Sequence, residues 1–113
     1  MYDFGSIVLT RFPFTDLSGG KVRPALVISC DNARRSDVVL AFITSKPHVA
    51  AMPDSLAIQP TTANGLKVAS VVRFDKIATL ETRVIAGKLG DAEPIFLNAA
   101  AAVFFGVFGF VSP

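Results

Sequence analysis

Apolar and β-branched residues come in short runs along this chain, each closed by glycine, proline, asparagine or aspartate. Residues 6–12 (Ser-Ile-Val-Leu-Thr-Arg-Phe) predict a first strand and residues 25–30 (Ala-Leu-Val-Ile-Ser-Cys) a second. Alternation in the second sets Ala25, Val27 and Ser29 on one face and Leu26, Ile28 and Cys30 on the other, so Cys30 is expected as inert core. Residues 38–44 (Val-Val-Leu-Ala-Phe-Ile-Thr) are almost continuously apolar, the pattern of a strand central in its sheet. A brief strand at 56–59 is ended by Pro60 and a turn through Asn64-Gly65. Residues 69–76 predict the next strand, 77–81 extend or re-pair it, and 84–88 form the last. Strands this short and this closely spaced leave no room for crossover helices. The pattern therefore predicts a mainly β small barrel, not a parallel α/β sheet.

The end of the chain changes character. Asp91 is expected as an N-cap, with Glu93 and Pro94 in the first turn of a C-terminal helix over residues 92–105. From Pro94 to Pro113 there is no charged residue, a length that overlaps the roughly 17–25 residues of a membrane span. Gly106 and Gly109 interrupt it, Asn98 lies inside it and no basic flank follows, so a core helix covered by a second subunit is the expectation. One domain is expected over residues 1–113, with the barrel over about 5–90.

The segment between the first two strands is too long for a mere connection. It holds the Gly19-Gly20 pair, which lets the backbone turn back, and two cations, Lys21 and Arg23. Pro24 drives Arg23 into an extended conformation at the mouth of the second strand. A guanidinium on so rigid a base suits an anionic ligand.

Composition narrows the chemistry. An apolar fraction of 51% excludes intrinsic disorder. A single cysteine, Cys30, and a single histidine, His48, exclude an internal disulfide and a His/Cys metal site, so no metal and no cofactor are expected. A reduced, cytoplasmic setting follows, and the start Met-Tyr-Asp-Phe-Gly lacks the pattern of a signal peptide. The net charge of +2 is too small to argue for nucleic acid by itself. Its distribution says more: Lys21, Arg23, Lys46, Arg73 and Lys76 all fall at strand ends or loops, which predicts a mildly basic groove.

Several residues could carry chemistry in such a groove. Thr44 and Ser45 close the central strand, where a hydroxyl either caps a turn or, beside Arg23, helps cradle an oxyanion. Arg73 and Asp75, at i and i+2, project from one face together with Val71, while Val72 and Phe74 point into the core. They form either a surface ion pair or an acid–base and phosphate-orienting pair. Phe42 and Phe74 read as core, whereas Phe14, in the loop, could stack a base. His48 reads as a solvated loop residue.

Three segments now line up in order. They are Gly-Ser-Ile-Val-Leu…Phe-Pro-Phe-Thr-Asp-Leu-Ser-Gly-Gly-Lys-Val-Arg-Pro-Ala-Leu-Val-Ile-Ser, then Ala-Phe-Ile-Thr-Ser, then Ser-Val-Val-Arg-Phe-Asp-Lys-Ile-Ala-Thr-Leu…Gly-Lys-Leu-Gly. Over residues 5 to about 90 the chain resembles the PemK/MazF family, the toxins of type II toxin–antitoxin pairs. The resemblance implies an SH3-like small barrel with a C-terminal helix, acting as a homodimer and held silent by a cognate antitoxin. It implies a metal-independent endoribonuclease that cuts single-stranded RNA at short sequences, leaving a 2′,3′-cyclic phosphate and a 5′-hydroxyl. By position, Arg23 and Thr44 match the arginine and threonine assigned to catalysis in MazF-like members. Arg73 and Asp75 match the pair assigned as acid and base in the Kid/PemK branch. RNA would be held by Phe14, Ser18, Lys21, Ser45, Lys46 and Lys76. Two other classes share such a barrel: a CcdB-type toxin that binds DNA gyrase and cuts nothing, and an inactive RNA- or protein-binding barrel. The chain departs from the family in two places. Some PemK-type members carry a first-loop histidine where Ser18 or its neighbours stand here, and the family's C-terminal helix is usually charged.

Overall fold

The computed structural model describes residues 2–11, 22–31, 34–46 and 52–110. Phe14, Ser18, Lys21, His48 and the Gly19-Gly20 pair lie outside the described residues. Among the described residues six strands form one antiparallel sheet: β1 (Ser6–Thr10), β2 (Arg23–Val27), β3 (Asp37–Thr44), β4 (Ser55–Ile58), β5 (Ser70–Glu81) and β6 (Gly87–Asp91). Their order is β4-β5-β3-β2-β1-β6, so β3 lies inside the sheet as its continuous apolar run predicts. Helix α1 (Pro94–Val107) follows β6. The architecture is the expected one, a curled small-barrel sheet with a C-terminal helix.

β1 ends at Thr10 and not at residue 12, β4 lies one residue earlier than 56–59, and three further boundaries differ from the pattern reading for a local reason. β2 begins at Arg23 and stops at Val27, because past that point Val39 N–H donates to the Ser29 hydroxyl at 3.0 Å and not to a backbone carbonyl. Alternation fails with the ladder, and Cys30 is exposed, not core. The last strand is Gly87–Asp91, not 84–88, since Thr82–Val84 winds into a single 3-10 turn closed by Ile85 N–H on the Thr82 carbonyl at 3.1 Å. Asp91 is thus the end of β6 and no helix cap. Glu93 occupies the cap position without a side-chain capping bond, and its Oε2 accepts from Thr61 Oγ1 at 2.6 Å.

The sheet has apolar side chains on both faces. On one, Ile7, Leu26, Ala41, Ile43, Val72 and Phe74 meet α1, which contributes the buried Ala100 and the flanking Leu97, Val103 and Phe104. Phe104 lies edge-on to Phe74 with ring centroids 6.5 Å apart. Gly5, at φ +93°, leaves the space that Leu97 takes. On the other face, Val8, Ala25, Val27, Val38 and Leu40 form a second cluster that Phe42, Ala78 and Leu80 border.

Between β3 and β5 the register slips: Ala41 pairs with Ile77 but Phe42 with Arg73, so residues 74–76 stand outside the ladder. Such an irregularity bends a strand sharply. It allows the first part of β5 to pair with β4 as well, through Ser55 with Arg73 and Ile58 with Ser70. The segment after β4 then reaches the far edge of the sheet, where Asp91 N–H donates to the Ala63 carbonyl at 2.8 Å. Among the described residues no helix is long and apolar enough to cross a membrane. The outer side of α1 nevertheless leaves Ile95 81% exposed, and Phe110 just beyond it is 68% exposed.

Candidate active site

Strand register brings the predicted residues onto one face. β2 and β3 pair with Ala25 opposite Phe42. Carried two residues further, the same register sets Arg23 opposite Thr44, at the end of the pair away from the segment that joins β2 to β3. One row in, Phe42 faces Arg73 across β3 and β5. Cross-strand partners project to the same side of a sheet. Arg23, Thr44 and Arg73 therefore share the face whose interior is Ala25, Val27 and Leu40.

Arg23 is half-buried, and its Nε is buried with no hydrogen-bond partner among the described residues. Pairing of β2 to β3 starts at Ala25, past Pro24, which has no N–H to give. Thr44, the last residue of β3, is 7% exposed, and its Oγ1 accepts from Lys46 N–H at 3.3 Å. The turn-capping role expected of a strand-end hydroxyl is thus present. Its own O–H can act as a donor as well.

Arg73 and Asp75 form a two-bond fork, Nε to Oδ1 at 3.0 Å and Nη2 to Oδ2 at 2.7 Å. Both side chains are mostly covered, 19% and 25% exposed. The hydrogen bond from Arg73 holds the Asp75 carboxyl below its ordinary range, opposed by burial and aided by the charges of Arg73 and Lys76. Asp75 in turn holds the Arg73 proton more firmly, and the carboxylate of Asp54 adds to that field. At neutral pH the pair is a locked ion pair: an unprotonated carboxylate that the guanidinium restrains from taking a proton.

The remaining predictions divide. Lys76 follows Asp75 within the irregular stretch of β5, and Ser45 and Lys46 are exposed just past Thr44. Phe42, expected as core, is half-buried on the site face between Ala25 and Arg73. Asp54 was not singled out by the sequence, yet its backbone carbonyl accepts from Phe74 N–H at 2.9 Å and its charge acts on Arg73. Only the pairing of β4 with β5 reveals it. Among the described residues no group of three or more His, Cys, Asp or Glu side chains is placed to hold a metal ion.

Residues 3–104 match the family model described as PemK-like, MazF-like toxin of type II toxin–antitoxin system. The chain belongs to this family. A relative in Mycolicibacterium smegmatis, named as a probable endoribonuclease MazF, is 32% identical over 95 residues, covering 80% of this chain and 85% of that protein. The PemK/MazF fold is equally plain in solved structures. A mycobacterial endoribonuclease in complex with its cognate antitoxin superimposes with a TM-score of 0.79 over 100% of both chains, at 23% identity. The MazE–MazF complex of Deinococcus radiodurans matches with a TM-score of 0.72 at 26% identity, over 97% of this chain and 98% of that one.

Proposed function

We propose that this PemK/MazF toxin is an endoribonuclease that cleaves single-stranded RNA, with Arg23, Thr44, Arg73 and Asp75 as its catalytic group. The observation that carries the reading is the shared face: the β2–β3 register, carried on from Ala25 and Phe42, aligns Arg23 with Thr44, one row from Arg73, which is forked to Asp75. Each side chain answers one demand of transesterification. The ribose 2′-oxygen attacks the adjacent phosphorus, forming the 2′-O–P bond, while its proton passes to Asp75. Charge gathers on the non-bridging oxygens, where Arg23 and the Thr44 hydroxyl stabilise it. The P–O5′ bond breaks, and Arg73 stabilises the leaving oxygen, which takes a proton from a water molecule while the Asp75 carboxylic acid returns its proton to the hydroxide so formed, regenerating the carboxylate. The products are a 2′,3′-cyclic phosphate and a 5′-hydroxyl. DNA is excluded because it lacks the attacking hydroxyl.

The Arg73–Asp75 fork suits this sequence of events. A phosphate offers the guanidinium a competing acceptor of the same bidentate geometry. RNA binding thereby draws Arg73 off Asp75 and restores basicity to the carboxylate as the substrate arrives. Lys46, Lys76 and Ser45 border the same end of the sheet and suit backbone contacts, and Phe14, Ser18 and Lys21 belong to the segment that joins β1 to β2. A homodimer covering the uncharged outer side of α1, and a cognate antitoxin that neutralises the basic face, complete the reading in a cytoplasmic setting.

The deciding experiment incubates the purified protein with a long RNA in excess EDTA and analyses the new ends. Cyclic-phosphate and 5′-hydroxyl ends that disappear with Arg23→Ala are expected. Intact RNA together with arrest of DNA gyrase would move the protein to the CcdB-type class. Binding without either activity would mark an inactive barrel.

A further inference from the structure

The row that contains Arg23 and Thr44 extends to a third strand. β1 pairs with β2 so that Thr10 lies directly opposite Arg23, on the side away from Thr44. Thr10 shares its face with Val8, which belongs to the same cluster as Ala25 and Val27. By register, Arg23 thus stands on β2 between Thr10 of β1 and Thr44 of β3. Thr10 is 1% exposed, and its Oγ1 is buried without a hydrogen-bond partner among the described residues. The same is true of Arg23 Nε.

Four buried side-chain atoms have no partner among the described residues, the Ser6 and Ser55 hydroxyls and these two, and these two belong to residues paired directly across β1 and β2. Leaving a buried donor or acceptor unpaired is costly, and native proteins seldom do so without a reason. Here the two atoms are chemically complementary. Arg23 Nε–H can only donate, and a threonine oxygen can accept. A valine at position 10 would fill nearly the same volume and continue the apolar pattern of β1 with no orphaned oxygen. The hydroxyl therefore serves something other than packing.

We infer that Thr10 is a positioning residue for Arg23: with RNA in the site, Arg23 Nε–H donates to Thr10 Oγ1, which leaves the two Nη groups turned toward the phosphodiester. A guanidinium held through Nε presents its outer edge as a fixed pair of donors, the geometry that matches two phosphate oxygens. Without that anchor the side chain keeps its charge but loses its aim, and misalignment lowers the rate more than the affinity. This inference rests on the proposed role of Arg23 in RNA cleavage.

The test compares Thr10→Val and Thr10→Ser with the unaltered protein in RNA cleavage, in thermal melting and in the NMR signal of the Arg23 Nε–H group. Thr10→Val should lower kcat by about tenfold or more, the effect of losing a charge-assisted hydrogen bond, with KM little changed. Its melting temperature should hold or rise, because a buried unpaired oxygen has gone. Thr10→Ser should restore most of the rate. Addition of inorganic phosphate or of an RNA analogue with 2′-O-methyl riboses should protect the Arg23 Nε–H signal from exchange in the unaltered protein and not in Thr10→Val. A Thr10→Val protein that cleaves normally, or one whose rate and melting temperature fall together, would overturn the inference. If the unaltered protein cuts no RNA, the proposed function fails, and the Nε–H signal alone then decides whether Thr10 holds Arg23.

Discussion

Arg73 and Asp75, two residues apart on β5, close a fork on each other through Nε–Oδ1 and Nη2–Oδ2 bonds of 3.0 and 2.7 Å. Three residues of β5 stand outside the β3 ladder at this point, and Asp75 is the middle one. The side chains are 19% and 25% exposed while Asp75 as a residue is exposed, so solvent still screens the pair in part. It is at once a structural clasp on the bend of β5 and the only guanidinium–carboxylate fork on the site face among the described residues.

The clasp should have a pH signature. The Asp75 carboxyl is held below its ordinary value, chiefly by the hydrogen bond from Arg73. Its contribution to stability is complete above the ordinary carboxylate value of about 3.9 and is lost as pH falls through the depressed one. Urea denaturation of the native protein and of Asp75→Asn should therefore differ at pH 7 and converge toward pH 2. A difference that stays constant across that range would mean the carboxylate charge adds nothing to folding.

Arg23→Ala should reduce cleavage by about 10²–10³-fold, the loss expected when a preorganised charge donor is removed. Its unfolding midpoint should move little, since the Nε atom it deletes has no partner among the described residues. Arg23→Lys should recover RNA binding more than rate, because an ammonium keeps the charge and lacks the fork. Cleavage kinetics and melting curves on the three proteins check this. Equal activity in Arg23→Ala would remove the guanidinium from the mechanism.

Asp75→Asn should slow cleavage by roughly 10²–10⁴-fold, the usual span for a positioned general base, with a much smaller effect on RNA affinity. The amide can still accept from Arg73 but takes no proton from a 2′-hydroxyl. Binding measured on a 2′-O-methyl RNA separates the two effects. Parallel loss of affinity and rate would reduce Asp75 to shaping the site.

The β architecture is legible in the sequence because its signals are local. Short apolar runs, Pro60, and the Asn64-Gly65 turn with Gly65 at φ +71° place the strands and one of their connections. The i, i+2 spacing of Arg73 and Asp75 likewise puts both on one face. What is not legible depends on register. Ser29 trades a backbone bond for a side-chain bond and thereby exposes Cys30, which alternation assigns to the core. The three-residue slip between Ala41 and Phe42 brings Asp54 near Arg73, and no local pattern encodes it. Thr10 reads only as a strand residue until pairing sets it against Arg23. Helix α1 begins two residues later than its acidic start suggests, because Asp91 is taken by β6.

The sheet edge offers a test of stability separate from chemistry. Asn64 is completely buried, and its side chain satisfies three backbone groups at once: Oδ1 accepts from Thr61 and Leu66 N–H, each at 3.0 Å, and Nδ2 donates to the Gln59 carbonyl at 2.8 Å. This ties the segment after β4 into a tight turn. The turn then seals the edge of β6: Gly90 lies against the Ala63 carbonyl and Gly65 against the Leu89 carbonyl, both too close for a Cβ. Asn64→Ala strips partners from all three groups, and each buried group so orphaned costs about 1–3 kcal/mol. Against a total stability of about 5–15 kcal/mol, the melting temperature should drop by on the order of 10 °C. Cleavage per folded molecule, measured well below that transition, should stay near normal because Arg23, Thr44, Arg73 and Asp75 belong to other strands. An Asn64→Ala protein that unfolds at the native urea midpoint would show that the turn is held by its backbone and glycines alone.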